Sequence, residues 1–368
     1  MTKRLMRGNH VIGEAAISAG CRYYFGYPIT PQNEVPEYLS HRLDEVGGTF
    51  VQAESELASI NMVIGASMAG KRVMTSSSSP GISLMQEGMS FLAGLELPAV
   101  IANMVRGGPG LGNIAPSQSD YFQATRGGGH GDYRTIVLAP ASVGELSEMT
   151  FKAFSLADRY RNPVLVLGDG MLGQMMEPVE FEEYLDPKDL PKKHWSFDRP
   201  FAGSSLKHRS LILNPGEMEE HNHKLLRKYG AIEQREIDFD TTLTDDAKLI
   251  VVAYGTAARI AKGAVRRTRE MGMKVGLFRP KTLWPFPSKE LLKLAGRVKN
   301  ILVFEMSTGQ LVEDVKLAVG DRAAVSFYGR PGGVVSTPEE IAHQISHIYL
   351  QPQLEVDVWR HWQLGAPE

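Results

Sequence analysis

Short apolar runs alternate with segments of helical spacing along the first half of the chain. Apolar and small residues recur at helical spacing over 11–19, Gly20 offers a stop, and 22–25 is a run typical of a strand. A helix rich in small residues is predicted over 54–69. Further short, largely β-branched runs predict strands at 49–52, 72–75, 99–105, 135–138 and 164–167. This alternation predicts an α/β fold built on a doubly wound parallel sheet.

The alternation breaks at about 178 and resumes after 246. The intervening stretch is charged and contains prolines, with a helix predicted near 217–227. The second series predicts strands at 249–253, 274–278, 301–304 and 324–327, with helices at 257–271, 288–295, 312–319 and 338–348. We therefore expect two domains, at 1–185 and 246–350, joined by a connector at 186–245.

The last segment, 351–368, is too short to form a domain. It carries Trp359 and Trp362, spaced by three residues. We expect this tail to dock on a neighbouring molecule.

Thr30 and Pro31 form a strong helix start signal. Thr30 suits the N-cap and Pro31 the first helical position. One apolar face would then be formed by Val35, Tyr38, Leu39 and Leu43. The backbone amides of such a helix would point toward whatever Thr30 faces.

Composition limits the possible partners and redox centres. With 368 residues, of which 43% are hydrophobic, the chain can bury two sizeable cores. Its formal charge of −2 provides no cationic field for nucleic acid. The one cysteine, Cys21, excludes an internal disulfide and any cysteine-ligated iron–sulfur cluster built from this chain alone.

Neither a membrane segment nor a metal site is expected. The first residues are cationic without an apolar stretch long enough for a signal peptide, and no run approaches about 18 apolar residues. We expect a soluble, cytoplasmic protein. His343 and His347 share a predicted helix face, but a third ligand is missing nearby, so we predict no metal on this chain.

Three short motifs carry the candidate chemistry, and each follows a predicted strand. They lie at 26–31, 55–57 and 104–110. A parallel sheet would bring the hydroxyl of Thr30, the carboxylate of Glu56 and the guanidinium of Arg106 to one edge, where open α/β sheets bind ligands. This combination suits the chemistry of a 2-oxo acid.

The motifs Tyr27-Pro28-Ile29-Thr30-Pro31, Ala53-Glu54-Ser55-Glu56-Leu57-Ala58 and Arg106-Gly107-Gly108-Pro109 resemble the α subunit of 2-oxoacid:ferredoxin oxidoreductases. The resemblance covers essentially the whole chain. The stretch 116–133 is most similar to the branched-chain, 2-oxoisovalerate members, with the 2-oxoglutarate members next. The resemblance therefore implies a substrate as well as a family.

The resemblance implies a division of thiamine diphosphate between two subunits. The α subunit would contribute a pyrimidine-binding domain and a domain similar to the C-terminal domain of transketolase. A β subunit would supply the diphosphate-binding fold, magnesium and an iron–sulfur cluster. In agreement, the only Gly-Asp-Gly, at 168–170, is followed by its first asparagine only at Asn214, too distant for the family's magnesium and diphosphate motif.

The remaining partners are implied in the same way. They are a γ subunit, a ferredoxin-like δ subunit, ferredoxin as electron acceptor and coenzyme A as co-substrate. The assembly would convert a 2-oxo acid, with coenzyme A, into an acyl-CoA and CO2 while it reduces ferredoxin. Neither nucleic acid nor membrane is among the expected partners.

The resemblance also implies a role for each candidate residue. Glu56 would lie beside the pyrimidine nitrogen and share a proton with it, although Glu54 competes for this role and Glu56 could simply favour its helix N-terminus. Arg106 would hold the substrate carboxylate; the alternative is a structural ion pair. Thr30 would donate its hydroxyl to the substrate or simply cap a helix. Pro28 and Ile29 would line the cofactor beside Thr30.

The glycine-rich loop 127–132 is the predicted second part of the substrate pocket. So much glycine indicates either close backbone approach to a ligand or simple flexibility. Arg126, His130 and Arg134 are the candidates for holding the distal carboxylate of 2-oxoglutarate. A branched-chain acid needs an apolar pocket instead, and we expect 2-oxoisovalerate.

Two other classes of function stay open at this point. One is a non-redox thiamine enzyme, such as a dehydrogenase component that transfers its acyl group to lipoyl. The other is a degenerate fold that serves as an assembly scaffold. Retention of Glu56 and Arg106 counts against the scaffold.

Overall fold

The computed structural model describes residues 3–197 and 209–350. The strands, in chain order, are β1 (Arg4–Arg7), β2 (Tyr23–Gly26), β3 (Thr49–Gln52), β4 (Val73–Ser77), β5 (Ala99–Val105), β6 (Ile136–Leu138), β7 (Pro163–Asp169), β8 (Met176–Val179), β9 (Phe239–Thr242), β10 (Leu249–Val252), β11 (Val275–Pro280), β12 (Thr282–Trp284), β13 (Asn300–Glu305) and β14 (Ala324–Gly329).

The helices are α1 (Gly8–Ser18), α2 (Glu34–Glu45), α3 (Glu56–Met68), α4 (Ser79–Leu84), α5 (Gln86–Gly94), α6 (Tyr121–Arg126), α7 (Val143–Tyr160), α8 (Gly170–Gln174), α9 (Pro215–Arg235), α10 (Gly255–Glu270), α11 (Ser288–Ala295), α12 (Leu311–Val319) and α13 (Pro338–Leu350). No helix of the described residues is long and apolar enough to cross a bilayer. The tail with Trp359 and Trp362 lies outside the described residues.

The first sheet has seven strands in the order β12-β6-β7-β5-β4-β2-β3. All its pairings are parallel except that of β12 with β6. Strands β4, β5 and β7 are buried along their whole length, as expected for a parallel sheet covered on both faces. The predicted α/β fold is confirmed, and the carboxyl ends of β2, β4, β5 and β7 meet at one edge.

The second sheet has the order β14-β13-β10-β11-β9, with only β9 antiparallel. Helices α10 and α13 pack on each other and cover its apolar residues. The expected connector, 186–245, contains α9 and also β9, so it contributes a strand to this sheet. Conversely, β12 comes from the second half of the chain and joins the first sheet.

The predicted helix start at Thr30 and Pro31 is wrong. Helix α2 begins at Glu34, and the Gln32 amide donates to the Ile29 carbonyl, which closes a turn before it. The Pro31 carbonyl accepts a hydrogen bond from Asn9 Nδ2 at 2.8 Å, on α1. Contacts with another helix therefore fix this segment, and the local capping signal does not.

A buried carboxylate joins the N-terminal elements. Glu14 on α1 is fully buried and accepts hydrogen bonds from Arg4, Arg42, Tyr38 and Tyr184. Burial opposes ionisation, but these donors outweigh it and lower the pKa of Glu14 to about 2. The charged form of Glu14 thus stabilises the packing of β1, α1 and α2.

We expect Glu14→Gln to lower the free energy of unfolding by about 3 kcal/mol at pH 7, as the shift of the Glu14 pKa from 4.5 to about 2 implies. Because the folded-state pKa is lowered, this contribution is present above pH 4.5 and is lost as the pH falls through 2. Urea unfolding followed by circular dichroism measures it. Glu45→Gln is the matched control, since Glu45 pairs with the same Arg42 at the surface and should cost under about 1 kcal/mol. Equal effects of the two variants would contradict the assignment.

Candidate active site

Glu56 is a buried carboxylate at the start of α3. Ser55 caps the helix by accepting from the Ala58 amide at 3.2 Å, and this places Glu56 in the first turn. Glu56 is 5% exposed, and its Oε1 accepts a hydrogen bond from Ser77 Oγ at 3.4 Å. No hydrogen bond to its Oε2 involves the described residues. One oxygen of a buried carboxylate is thus left for a ligand. Glu54, the competing candidate, is exposed.

Helix α4 approaches Glu56 through Gly81. A Cβ added at Gly81 would lie 2.4 Å from Glu56 Oε1 and 2.0 Å from Ser77 Oγ. Any larger residue would displace the carboxylate. The packing therefore fixes the position of Glu56 more tightly than its single hydrogen bond does.

Arg106 follows β5 at the same sheet edge and is 6% exposed. Its Nη1 donates to the Thr30 carbonyl at 2.9 Å and its Nη2 to the Leu111 carbonyl at 3.0 Å. Its buried Nε has no hydrogen-bond partner, and no carboxylate of the described residues forms a salt bridge with it. The alternative of a structural ion pair is therefore absent from the described part of the chain. Three of five N–H donors are left for an anion.

Thr30 lies between the end of β2 and α2, beside Arg106. Its backbone carbonyl holds the guanidinium, and its hydroxyl accepts from Asn33 Nδ2 at 3.1 Å. The hydroxyl proton of Thr30 therefore stays available for donation. The neighbouring Pro28 is exposed and Ile29 is half-buried.

A run of serines, 76–79, connects these groups, and sequence reasoning missed its role. Ser79 Oγ accepts from the Arg106 amide at 3.1 Å, while Ser77 contacts Glu56. Ser79 Oγ also donates to the Arg106 carbonyl at 3.3 Å. The position of the run directly after a predicted strand was the available signal, because that strand ends at the ligand-binding edge.

The Gly-Asp-Gly at 168–170 serves the structure. Asp169 ends β7 and accepts from the amides of Met171 and Leu172, which caps α8. Burial raises the pKa of Asp169, and a hydrogen bond from Thr256 on α10 opposes this effect. This aspartate is thus consumed by a helix cap and a contact with the second half of the chain.

The candidates around the glycine-rich loop do not meet Arg106. Arg126 pairs with Asp314 on α12 at 3.2 Å. His130 is exposed and packs edge-on against Phe91, with ring centroids 6.2 Å apart. Arg134 is exposed as well. Within residues 3–197 and 209–350, none of these three side chains forms a hydrogen bond or an ion pair with Arg106, Glu56 or Thr30.

Gln118 fixes the far end of the loop that begins at Arg106. Its Oε1 accepts from the Met306 amide and its Nε2 donates to the Tyr254 carbonyl, both at 2.9 Å. Its backbone amide donates to the Met306 carbonyl, and its carbonyl accepts from the Tyr254 hydroxyl. The second half of the chain thereby holds residues 107–118 in place.

The side chains at this edge suit one part of thiamine diphosphate. The free oxygen of buried Glu56 can accept from a ring nitrogen, and Arg106 with Thr30 can hold a carboxylate and an oxo group nearby. Asp169 of the Gly-Asp-Gly at 168–170 is occupied as a helix cap. The described residues therefore fit the pyrimidine end of the cofactor together with an anionic substrate.

The chain matches known protein families along most of its length. Residues 14–238 match the family described as pyruvate flavodoxin/ferredoxin oxidoreductase, thiamine diphosphate-binding, and residues 247–341 match pyruvate:ferredoxin oxidoreductase core domain II. The first half is thus a thiamine-diphosphate-binding domain of an oxidoreductase. The chain belongs to the pyruvate flavodoxin/ferredoxin oxidoreductase family, which confirms the resemblance drawn from the sequence.

Two curated relatives match over nearly their full length. The ketoisovalerate oxidoreductase subunit VorB of Methanothermobacter marburgensis is 48% identical over 348 residues, which are 95% of this chain and 98% of that protein. The 2-oxoglutarate synthase subunit KorA of Archaeoglobus fulgidus is 39% identical, over 89% of this chain and 95% of that protein.

Solved structures extend the comparison to the fold. The 2-oxoglutarate:ferredoxin oxidoreductase of Magnetococcus marinus, solved with 2-oxoglutarate, coenzyme A and succinyl-CoA, superposes with a TM-score of 0.84 at 29% identity. The alignment covers 94% of this chain and 65% of that one, so this chain spans slightly less than two thirds of it. A split-gene transketolase chain, at 12% identity and a TM-score of 0.58, shares the fold alone.

Proposed function

We propose that the chain is the α subunit of a thiamine-diphosphate-dependent 2-oxoacid:ferredoxin oxidoreductase. The observation that carries the proposal is the Arg106 guanidinium, which is buried at the ligand edge without a carboxylate partner among the described residues. A buried, unpaired charge is costly, so a site of this kind is built for an anion that arrives as ligand. Glu56 beside it supplies the proton-transfer group that thiamine chemistry needs.

Each residue of the edge has one task in this proposal. Thiamine diphosphate supplies the electron sink for decarboxylation. Glu56 holds and moves a proton at the pyrimidine nitrogen. Arg106 binds the 1-carboxylate of the 2-oxo acid through its free donors, and Thr30 donates its hydroxyl to the substrate. Pro28 and Ile29 line the cofactor on the open side.

The proposed substrate is 2-oxoisovalerate. The 48% identity to a ketoisovalerate oxidoreductase subunit supports it, as does the pairing of Arg126 with Asp314, which leaves that cation neutralised. A distal carboxylate would need a free cation or several donors. The 36–39% identity to 2-oxoglutarate synthase subunits keeps 2-oxoglutarate as the second candidate.

The proposal includes partners that hold the other half of the chemistry. A β subunit would carry the diphosphate-binding fold, magnesium and an iron–sulfur cluster. The γ and ferredoxin-like δ subunits would complete the complex. Coenzyme A accepts the acyl group, and ferredoxin accepts the electrons.

The test is to compare the isolated chain with the native complex. The isolated chain should be colourless and inactive, because its single cysteine cannot hold an iron–sulfur cluster. The complex should reduce ferredoxin with a panel of 2-oxo acids and favour 2-oxoisovalerate. Turnover by the lone chain would refute the shared site. A preference for 2-oxoglutarate would refute only the assignment of 2-oxoisovalerate as substrate. Acyl transfer to lipoyl without ferredoxin reduction would refute the assignment as a ferredoxin-linked oxidoreductase.

We expect Glu56→Gln to leave assembly intact and to slow decarboxylation by roughly 100-fold to 10,000-fold, the usual range for a positioned proton-transfer group. Single-turnover release of CO2 by the assembled complex measures this rate. Glu54→Gln is the matched control two residues earlier, where the carboxylate is exposed. A near-normal rate in Glu56→Gln together with a slow rate in Glu54→Gln would move the role to Glu54.

Arg106→Ala should weaken every 2-oxo acid alike, by about 2 to 5 kcal/mol in kcat/KM, because all of them carry the same 1-carboxylate. Steady-state kinetics with 2-oxoisovalerate, pyruvate and 2-oxoglutarate measure the loss. Arg126→Ala is the control and should leave the order of preference unchanged. If Arg126→Ala instead abolishes a 2-oxoglutarate activity selectively, the substrate assignment is wrong while Arg106 keeps its role.

A further inference from the structure

Leu111 is an exposed leucine whose backbone is hydrogen-bonded to Arg106, the proposed carboxylate-binding residue. Its carbonyl accepts from Arg106 Nη2 at 3.0 Å, and yet the residue is 81% exposed. Covering an aliphatic side chain of this size with a ligand or a partner is favourable, because it removes apolar surface from water. An exposed apolar side chain thus belongs to the same residue whose backbone carbonyl holds the Arg106 guanidinium.

The backbone around Leu111 is fixed, so its side chain is presented from a defined position. Gly110 and Gly112 have φ of 69° and 59°, and Leu111 between them has negative φ. A Cβ on Gly112 would lie 1.7 Å from the Gly107 carbonyl oxygen, which also accepts from the Asn113 amide at 2.9 Å. The loop therefore folds tightly back on itself and requires glycine at position 112. Position 111 accepts other side chains without backbone strain.

We propose that Leu111 is a specificity-determining residue, whose side chain contacts the branched aliphatic group of the 2-oxo acid held by Arg106. The inference rests on the proposed function and names a residue that selects among 2-oxo acids. Its basis is the pairing of one exposed apolar side chain with one buried, unpaired guanidinium on the same short loop.

The dimensions of a 2-oxo acid fit this pairing. Its carboxylate and its side chain are separated by the single oxo carbon, so a group that touches the side chain must lie close to the group that binds the carboxylate. Leu111 is close to that group along the chain, because its backbone carbonyl accepts a hydrogen bond from Arg106 Nη2. Ile114, 63% exposed on the same loop, adds a second apolar group. Arg126, which directly precedes the glycine-rich loop, is paired with Asp314 and is therefore already neutralised.

The test compares kcat/KM for 2-oxoisovalerate and for pyruvate in the assembled complex. Leu111→Ala keeps the carbonyl that binds Arg106 and removes only the side chain. We expect the ratio of 2-oxoisovalerate to pyruvate to fall about 10-fold, within the range found for apolar groups in a pocket. Leu317→Ala is the matched control, because Leu317 is 83% exposed on α12 and should leave the ratio unchanged.

A second variant enlarges the same side chain. Leu111→Phe should exclude the branched acid while pyruvate turnover is retained, so the ratio should again fall by about 10-fold or more. Size-exclusion chromatography checks that each complex assembles.

Two outcomes would overturn the proposal while the proposed function stands. One is a parent complex that is active on 2-oxo acids but whose substrate ratio is unchanged in both Leu111 variants. The other is loss of assembly in both variants with normal assembly of Leu317→Ala, which would assign Leu111 to a subunit interface. A parent complex without activity on any 2-oxo acid would instead refute the proposed function itself.

Discussion

The hydrogen bonds of Gln118 fix one end of the loop that follows β5 and begins with Arg106 of the candidate site. Both polar groups of its side chain and both of its backbone are bonded to Tyr254 or Met306 of the second half of the chain. Loss of these partners would leave buried donors and acceptors unsatisfied, at roughly 1–3 kcal/mol each. Docking of the two halves therefore fixes the Gln118 end of the loop that begins at Arg106. Among residues 3–197 and 209–350, the second half of the chain supports the site through Gln118 and forms no hydrogen bond with the side chains of Glu56, Arg106 or Thr30.

Three buried glutamates differ in how many hydrogen-bond donors they have, and this difference distinguishes structural carboxylates from one that can bind a ligand. Glu14 has four side-chain donors, which hold it charged. Glu305, at the end of β13, is fully buried and accepts from Ser307 and from the amides at the start of α12; burial nevertheless raises its pKa. Glu56 has one long hydrogen bond from a serine. Only the last retains unused acceptor capacity, and it is the one that lies at the ligand edge.

The local patterns predict the elements well and the contacts between distant parts poorly. Alternating apolar runs predicted the parallel sheet and the edge where Glu56, Arg106 and Thr30 lie, because burial on both faces leaves a direct signal. The helix start at Thr30 failed because Asn9 binds the Pro31 carbonyl from another helix. The roles of Ser79 and Gln118 depend on partners 27 to 188 positions away in the chain, which no local spacing encodes.

Strand β12 ties the two halves of the chain in a way that bears on how such a protein can be divided. It lies after β11 in the chain but forms the edge of the first sheet, with Thr282 opposite Leu138 and Trp284 opposite Val137. A cut anywhere between 246 and 281 would leave β6 with unpaired amides and carbonyls along one side, a surface prone to pairing with other chains. A fragment that ends at the apparent boundary would therefore be prone to aggregate. If the chain were divided into two polypeptides, the first would avoid this aggregation only if it kept a segment that pairs with or covers the free edge of β6.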